Sequence, residues 1–376
     1  MTAENIMTEE KRKMLRIVKR RKPLRVGFLP ENDCAPIVVA HEFGLFKQYG
    51  LEVELQAQAS WKHVHDKIIH RYLDASGAPG MLPYLVNLGL TPEKRECLSA
   101  LVLSLQGNAI TVSRELWRLG VRDDMSLREQ LWKDRDRKVY TFGFTCPLSA
   151  QYSLLCQWLK AAKAPPFTQV RLESVPPEQM FPLLKLGYLD GYCAGEPWTS
   201  VAVQAGVGAC IATSATLAPM HPEKVLMVRK DFAEERAEEH ERLIAALVHA
   251  SYLCDQAENR TVICELLAQP RFVNAPSECL EPGLVGPFGP EDDRLRSLHG
   301  LNIFHRCGAN EPSAAKAAWL TGRLFELLRW RVRPQGIKNV LRPDIFKRAR
   351  RFLPEDLDAR AEPIQAMGTV SITKRA

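Results

Sequence analysis

Gly187-Tyr-Leu-Asp-Gly-Tyr-Cys-Ala-Gly-Glu-Pro-Trp198 gathers small residues, one indole and the Glu196 carboxylate into a single stretch of chain. An amphipathic helix runs out at its polar start, and a short strand of Gly, Cys and Ala begins. Small side chains on a strand let another backbone, or a ligand, come close. Earlier in the chain, Arg71-Tyr-Leu-Asp-Ala-Ser-Gly-Ala-Pro79 repeats the plan, with Tyr72-Leu73-Asp74 answering Tyr188-Leu189-Asp190. Two such units predict two similar lobes.

Upstream of each unit the pattern is strand, helix, strand, helix, strand. In the first, Leu24–Leu29 is β-rich and a polar turn with Asn32, Asp33 and Pro36 follows. Ala35–Tyr49 then has helical spacing, and Gly50 stops it. Leu51-Glu-Val-Glu-Leu55 alternates strictly, and Ser60 is placed as N-cap of a helix carrying Trp61, Val64, Ile68 and Ile69. The second unit has strands at Val139–Phe144 and Gln169–Val175 and helices at Ser149–Ala162 and Glu178–Leu186. Between the units, Leu98–Leu105 and Ala109–Ser113 flank a break at Gly107, as a strand crossing from one lobe to the next would. Val225–Val228 reads as the return crossing. This is an α/β chain of two parallel units with a helical C-terminal part.

These signals divide the chain into a charged arm (1–23), the first part of lobe 1 (24–110), lobe 2 (111–220), the return to lobe 1 with C-terminal helices (221–350) and a tail (351–376). Residues 275–295, rich in Pro, Gly and acidic residues, read as a long surface loop.

At 376 residues, with 46% hydrophobic and 25% charged, the chain is of ordinary globular composition. The net charge of +7 comes from basic residues scattered among 44 acidic ones, so the runs Lys11-Arg-Lys13, Lys19-Arg-Arg-Lys22 and Lys347-Arg-Ala-Arg-Arg351 read as solvated faces or tails and not as a nucleic-acid surface. No stretch approaches the roughly 18 apolar residues of a membrane span. Met1–Lys22 has no apolar core of a secretory signal, and none of the ten cysteines forms a Cys-x-x-Cys pair. Both features lead to the expectation of a cytoplasmic protein with reduced thiols.

Several chemistries lack their residues. There is no Gly-x-Ser-x-Gly elbow, no P-loop and no Gly-x-Gly-x-x-Gly, so hydrolysis by a serine triad, nucleotide hydrolysis and dinucleotide redox have no footing. His41, His63, His65 and His70 cluster in sequence but have no acidic partner at ligand spacing, so no metal is expected. No cofactor is expected either. Two lobes joined by crossing strands instead place a cleft beyond the carboxyl ends of the strands, where helix N-termini favour an anion.

The residues at those strand ends resemble a known family. Gly27-Phe-Leu-Pro-Glu-Asn-Asp-Cys-Ala-Pro36, Phe43-Gly-Leu-Phe-Lys-Gln-Tyr-Gly-Leu51, Ser60-Trp61, Gly107-Asn-Ala-Ile-Thr-Val-Ser113, Gly195-Glu-Pro-Trp198 and His221-Pro-Glu-Lys224 resemble the nitrate- and bicarbonate-binding proteins of ABC transporters, in the same order along residues 24 to 350. The resemblance implies a two-lobe, type II periplasmic-binding-protein-like fold without enzymatic activity. It also implies a pocket for a small inorganic anion (nitrate, nitrite or bicarbonate) lined by Trp61, Asn108, Thr145, Gln151, Gly195, Glu196 and Lys224. Lys224 would supply positive charge as a point cation. Glu196 is expected to brace the loop, since two negative charges repel. Nitrate binders of the family generally carry a histidine near the start of the Ser149 helix and a glutamine after Gly107, where this chain has Gln151 and Asn108.

The family includes cytoplasmic sensors that bind an antiterminator, and with no export signal the chain is expected to be such a sensor, preferring nitrate or nitrite and signalling to a regulatory partner protein. The alternatives are the substrate-binding component of a nitrate or bicarbonate ABC transporter, periplasmic or membrane-associated and working with a permease, and a pyrimidine-synthesis-like enzyme on the same fold.

Overall fold

Two five-stranded mixed sheets form, one per lobe, and their strand orders correspond position by position. In a computed structural model, residues 22–93, 95–164, 169–290, 300–329, 337–355 and 357 are described. The first sheet runs β2-β1-β3-β10-β4, built from β1 (Leu24–Phe28), β2 (Val53–Ala57), β3 (Ala75–Pro79), β4 (Cys97–Leu105) and β10 (Pro222–Arg229). The second runs β7-β6-β8-β5-β9, built from β5 (Asn108–Ser113), β6 (Tyr140–Phe144), β7 (Val170–Ser174), β8 (Gly191–Gly195) and β9 (Gly208–Thr213). In each sheet three strands are parallel, and the fourth in the order is antiparallel to both of its neighbours.

That fourth strand is the one that has crossed over. β5 enters the second lobe directly after β4 leaves the first, and β10 returns after β9. The crossings lie side by side, with Gln106 N–H donating to the His221 carbonyl at 3.0 Å. Gln106 and Gly107 turn the chain with φ of 62° and 93°. The whole run Asn108–Ser113 thus belongs to the second sheet.

The repeated Tyr-Leu-Asp units have the same job in each lobe. Leu73 and Leu189 are buried. Asp74 accepts a hydrogen bond from Arg25 N–H at the start of β1 (2.9 Å), and Asp190 accepts one from Thr141 N–H at the start of β6 (2.8 Å). A cation clamps each carboxylate, Arg25 on Asp74 at 3.3 Å and Lys138 on Asp190 at 2.7 Å. β3 and β8 begin from these clamps and run buried through the middle of their sheets.

Part of the stretch expected as a surface loop is a helix, Ser277–Leu284, with Leu280 and Leu284 in the core of the first lobe. Its Gly283 belongs to packing. A side chain on Gly283 would start 2.7 Å from the Asn32 amide and 2.9 Å from Cβ of Glu196, so only glycine lets this helix sit behind the cleft. All ten cysteines are free, and only Cys307 is exposed. No helix among the described residues is long and apolar enough to cross a membrane. The expected arm (1–23), apart from Lys22 and Pro23, and the tail beyond Leu357 lie outside the described residues.

Candidate ligand site

The carboxyl ends of the parallel strands of both sheets meet around a cleft of about 150 Å³. From the first lobe come Leu29 and Glu31 after β1, Ser60 and Trp61 after β2, Pro79 at the end of β3, and Lys224 on β10 beside it in register. The second lobe supplies Thr145 and Cys146 after β6, Gln151 from the first turn of the Ala150–Ala161 helix, and Ser174, Pro176 and Pro177 after β7. Two helices therefore begin at the cleft, each with a serine cap. Ser60 accepts from His63 N–H at 3.3 Å and Ser149 from Tyr152 N–H at 3.1 Å. With the caps made, the remaining first-turn amides leave the helix starts favourable to negative charge.

Lys224 is 3% exposed, and its ammonium lies 2.9 Å from Glu31, 2.8 Å from Asp33 and 3.5 Å from Glu223. Burial works against the ammonium, but Asp33, Glu31 and Glu223 outweigh it and hold the Lys224 pKa well above the usual lysine range. Burial pushes Asp33 up to about 7 against the pull of Lys224. For Glu223 burial also acts upward, yet Lys224, His221 and Asn108 keep its carboxyl below the ordinary value. Asn108 Nδ2 donates to Glu223 at 2.5 Å, and His221 Nε2 stands 3.2 Å from the same oxygen.

Of the residues singled out in the sequence, Trp61, Thr145, Gln151 and Lys224 come together on the cleft wall. Trp61 is half-buried, packed on the Val64 and Ile68 cluster while also facing the cleft, so it is wall and core at once. Thr145 Oγ1 donates to the Gln151 side-chain carbonyl, which leaves the Gln151 amide nitrogen on the side of Gly195. Asn108 stands one layer back, behind Glu223. Gly195 is a backing surface: a Cβ there would meet the Glu31 carboxylate at 2.6 Å.

Glu196 does not reach the cleft wall. Its carboxylate accepts from Ser200, and burial raises its pKa to about 7 in spite of Ser200 and Thr199. Its backbone carbonyl accepts from Asn32 N–H at 2.7 Å, a hydrogen bond from one lobe to the other.

Glu31, which lines the cleft, and Glu223, which stands against Lys224, both lie inside the quoted motifs without being singled out by them. The available signal was their position, since each lies within a few residues of a strand end or crossing that points at the cleft. Glu31 Oε1, Asn108 Oδ1 and Glu196 Oε1 are buried without a hydrogen-bond partner among the described residues. All three are acceptors.

A model of the NMT1-like family matches residues 19–268. The chain belongs to the NMT1-like family. Among curated relatives, the nitrate import ATP-binding protein NrtC of Synechocystis is 36% identical over 341 residues, which cover 88% of this chain and 50% of NrtC. The nitrate/nitrite binding protein NrtA of Nostoc is 28% identical over 86% of this chain and 76% of its own length. The chain spans about half the length of the ATP-binding relatives it matches. The solved periplasmic nitrate-binding protein NrtA from Synechocystis superposes with a TM-score of 0.82 over 89% of this chain and 90% of that one, at 24% identity. This NMT1-like chain has the two-lobe periplasmic-binding-protein fold that its motifs implied.

Proposed function

We propose that the chain is the substrate-binding unit of an ABC-type import system and closes on a small inorganic oxyanion, nitrate or nitrite first. The observation that carries this is a cleft of about 150 Å³ between two lobes, with Lys224 buried in its wall and Trp61, Thr145 and Gln151 as neutral hydrogen-bonding groups. That volume accepts a small ion and leaves no room for a sugar or nucleotide. The names of the relatives support the same ligand class.

The sensor expectation gives way to this reading. The relatives are transporter components, so the proposed partners are an ABC permease and its ATP-binding subunit instead of an antiterminator-like protein. The periplasmic relative supports an extracytoplasmic place of action over the cytoplasmic one expected from the N-terminus. Fractionation decides between them: the chain is expected outside the cytoplasmic membrane or attached to it, and recovery in the soluble cytoplasm would restore the sensor reading. Calorimetry against nitrate and nitrite tests the ligand.

One observation favours bicarbonate as a second reading. The unpartnered Glu31 Oε1 at the cleft is an acceptor, and bicarbonate carries an O–H to give where nitrate and nitrite have none. Binding of bicarbonate with no response to nitrate or nitrite would establish that alternative.

A further inference from the structure

The Lys224 ammonium has three protons to donate and three carboxylates around it, at 2.8, 2.9 and 3.5 Å. With Asp33, Glu31 and Glu223 all ionised, three negative charges stand against one positive in a buried cluster. An incoming anion then meets net repulsion, which low dielectric strengthens. Building on the oxyanion reading above, we propose that the cleft takes up its anion together with one proton held on Asp33. The neutral Asp33 carboxyl removes one of the three negative charges and loosens its hold on the Lys224 ammonium, which lines the cleft.

Asp33 is the member of the cluster suited to this. It makes the shortest contact to Lys224, and burial already pushes its pKa up to about 7. Glu223 is held ionised by Lys224, His221 and Asn108, while Glu31 extends across the cleft toward Gly195. The titratable and charged groups acting on Asp33 are Lys224, Glu31 and Glu223, with Cys34 beside it. A single added proton balances a single negative charge, so the device also selects monoanions over dianions.

The linkage has a definite sign. Below about pH 7 Asp33 already carries the proton in the empty protein and affinity is flat; above it, each pH unit costs about tenfold in affinity because the proton is drawn from a more dilute pool. Nitrate is the probe, since it does not itself titrate in this range. Calorimetry of nitrate at pH 5.5, 6.5, 7.5 and 8.5, in two buffers of different ionisation enthalpy, is expected to give about one proton taken up per nitrate at the highest pH. Asp33→Asn, which imitates the protonated group, is expected to bind with no pH slope. Glu31→Gln, a second variant that removes one repelling charge, is expected to tighten binding at pH 8.5. Affinity independent of pH with no proton uptake would overturn the coupling and leave the oxyanion reading standing, as would an Asp33→Asn variant with the wild-type slope. Calcium restoring tight binding at pH 8.5 would show that a cation, and not a proton, balances the site. No nitrate binding even at pH 5.5 would remove both readings.

Discussion

The carboxylate of Glu31, on the first lobe, reaches to within 2.6 Å of the point where a side chain on Gly195, on the second, would begin. The two residues face each other across the lobes, so the space at position 195 limits how near the lobes can stand. Gly195→Ala is expected to push Glu31 off Lys224 and hold the lobes apart. Ligand affinity should fall tenfold or more, with a stability cost of about 1–3 kcal/mol from overpacking. Calorimetry paired with a urea melt separates the two effects, and unchanged affinity would mean that the contact is not made in the bound state.

Removing the cation should be costly for folding as well as for binding. Lys224→Met leaves Glu31, Asp33 and Glu223 buried without their shared partner, and breaking a buried ion pair from one side typically costs about 3–5 kcal/mol. The loss should shrink as pH falls and the stranded carboxylates take up protons. Equal losses at pH 5 and pH 7.5 would count against the cluster being ionised.

Two carboxyls with raised pKa make a prediction about pH and stability. Asp33 and Glu196 move from 3.8 and 4.5 up to about 7 on folding, mainly through burial. The folded state therefore holds more protons than the unfolded one between about pH 4 and 7. Each group's contribution is fully present below its unfolded value and is lost as pH rises through about 7. The stability gap between pH 4.5 and pH 7.5, measured by denaturant unfolding, should change in that direction in Asp33→Asn and Glu196→Gln relative to wild type. Identical gaps in all three proteins would contradict the assignment.

The twin clamps predict additivity. Asp74→Ala and Asp190→Ala each leave a strand-start N–H and a cation without their carboxylate, at a cost of about 1–3 kcal/mol each. They sit in different lobes and share no partner, so the double variant should lose the sum within about 0.5 kcal/mol.

These clamps also mark what could be read in advance. Tyr72-Leu73-Asp74 and Tyr188-Leu189-Asp190 resemble each other because a helix end, a buried leucine and a carboxylate for the neighbouring strand form one local unit, and local units leave local patterns. The β1-to-β3 and β6-to-β8 runs were legible for the same reason. The carboxylate cage around Lys224 was not: Glu31, Asp33 and Glu223 come from segments nearly two hundred positions apart, and no periodicity records which side chains converge after two crossings. The helix at Ser277–Leu284 is hidden by its own Pro282 and Gly283, and the glycine serves close packing against Asn32 and Glu196. Propensity gives way there to a tertiary contact.

The central claim is that the cleft between Trp61, Gln151 and Lys224 binds a small oxyanion. Titration calorimetry of nitrate, nitrite and bicarbonate into the purified wild-type chain and into Gln151→Ala, at pH 6, tests it most directly. Saturable binding of at least one of the three, weakened about tenfold by loss of the Gln151 amide, a difference of about 1.4 kcal/mol, is the predicted result. No heat from any of the three, or equal affinity in the two proteins, would contradict it.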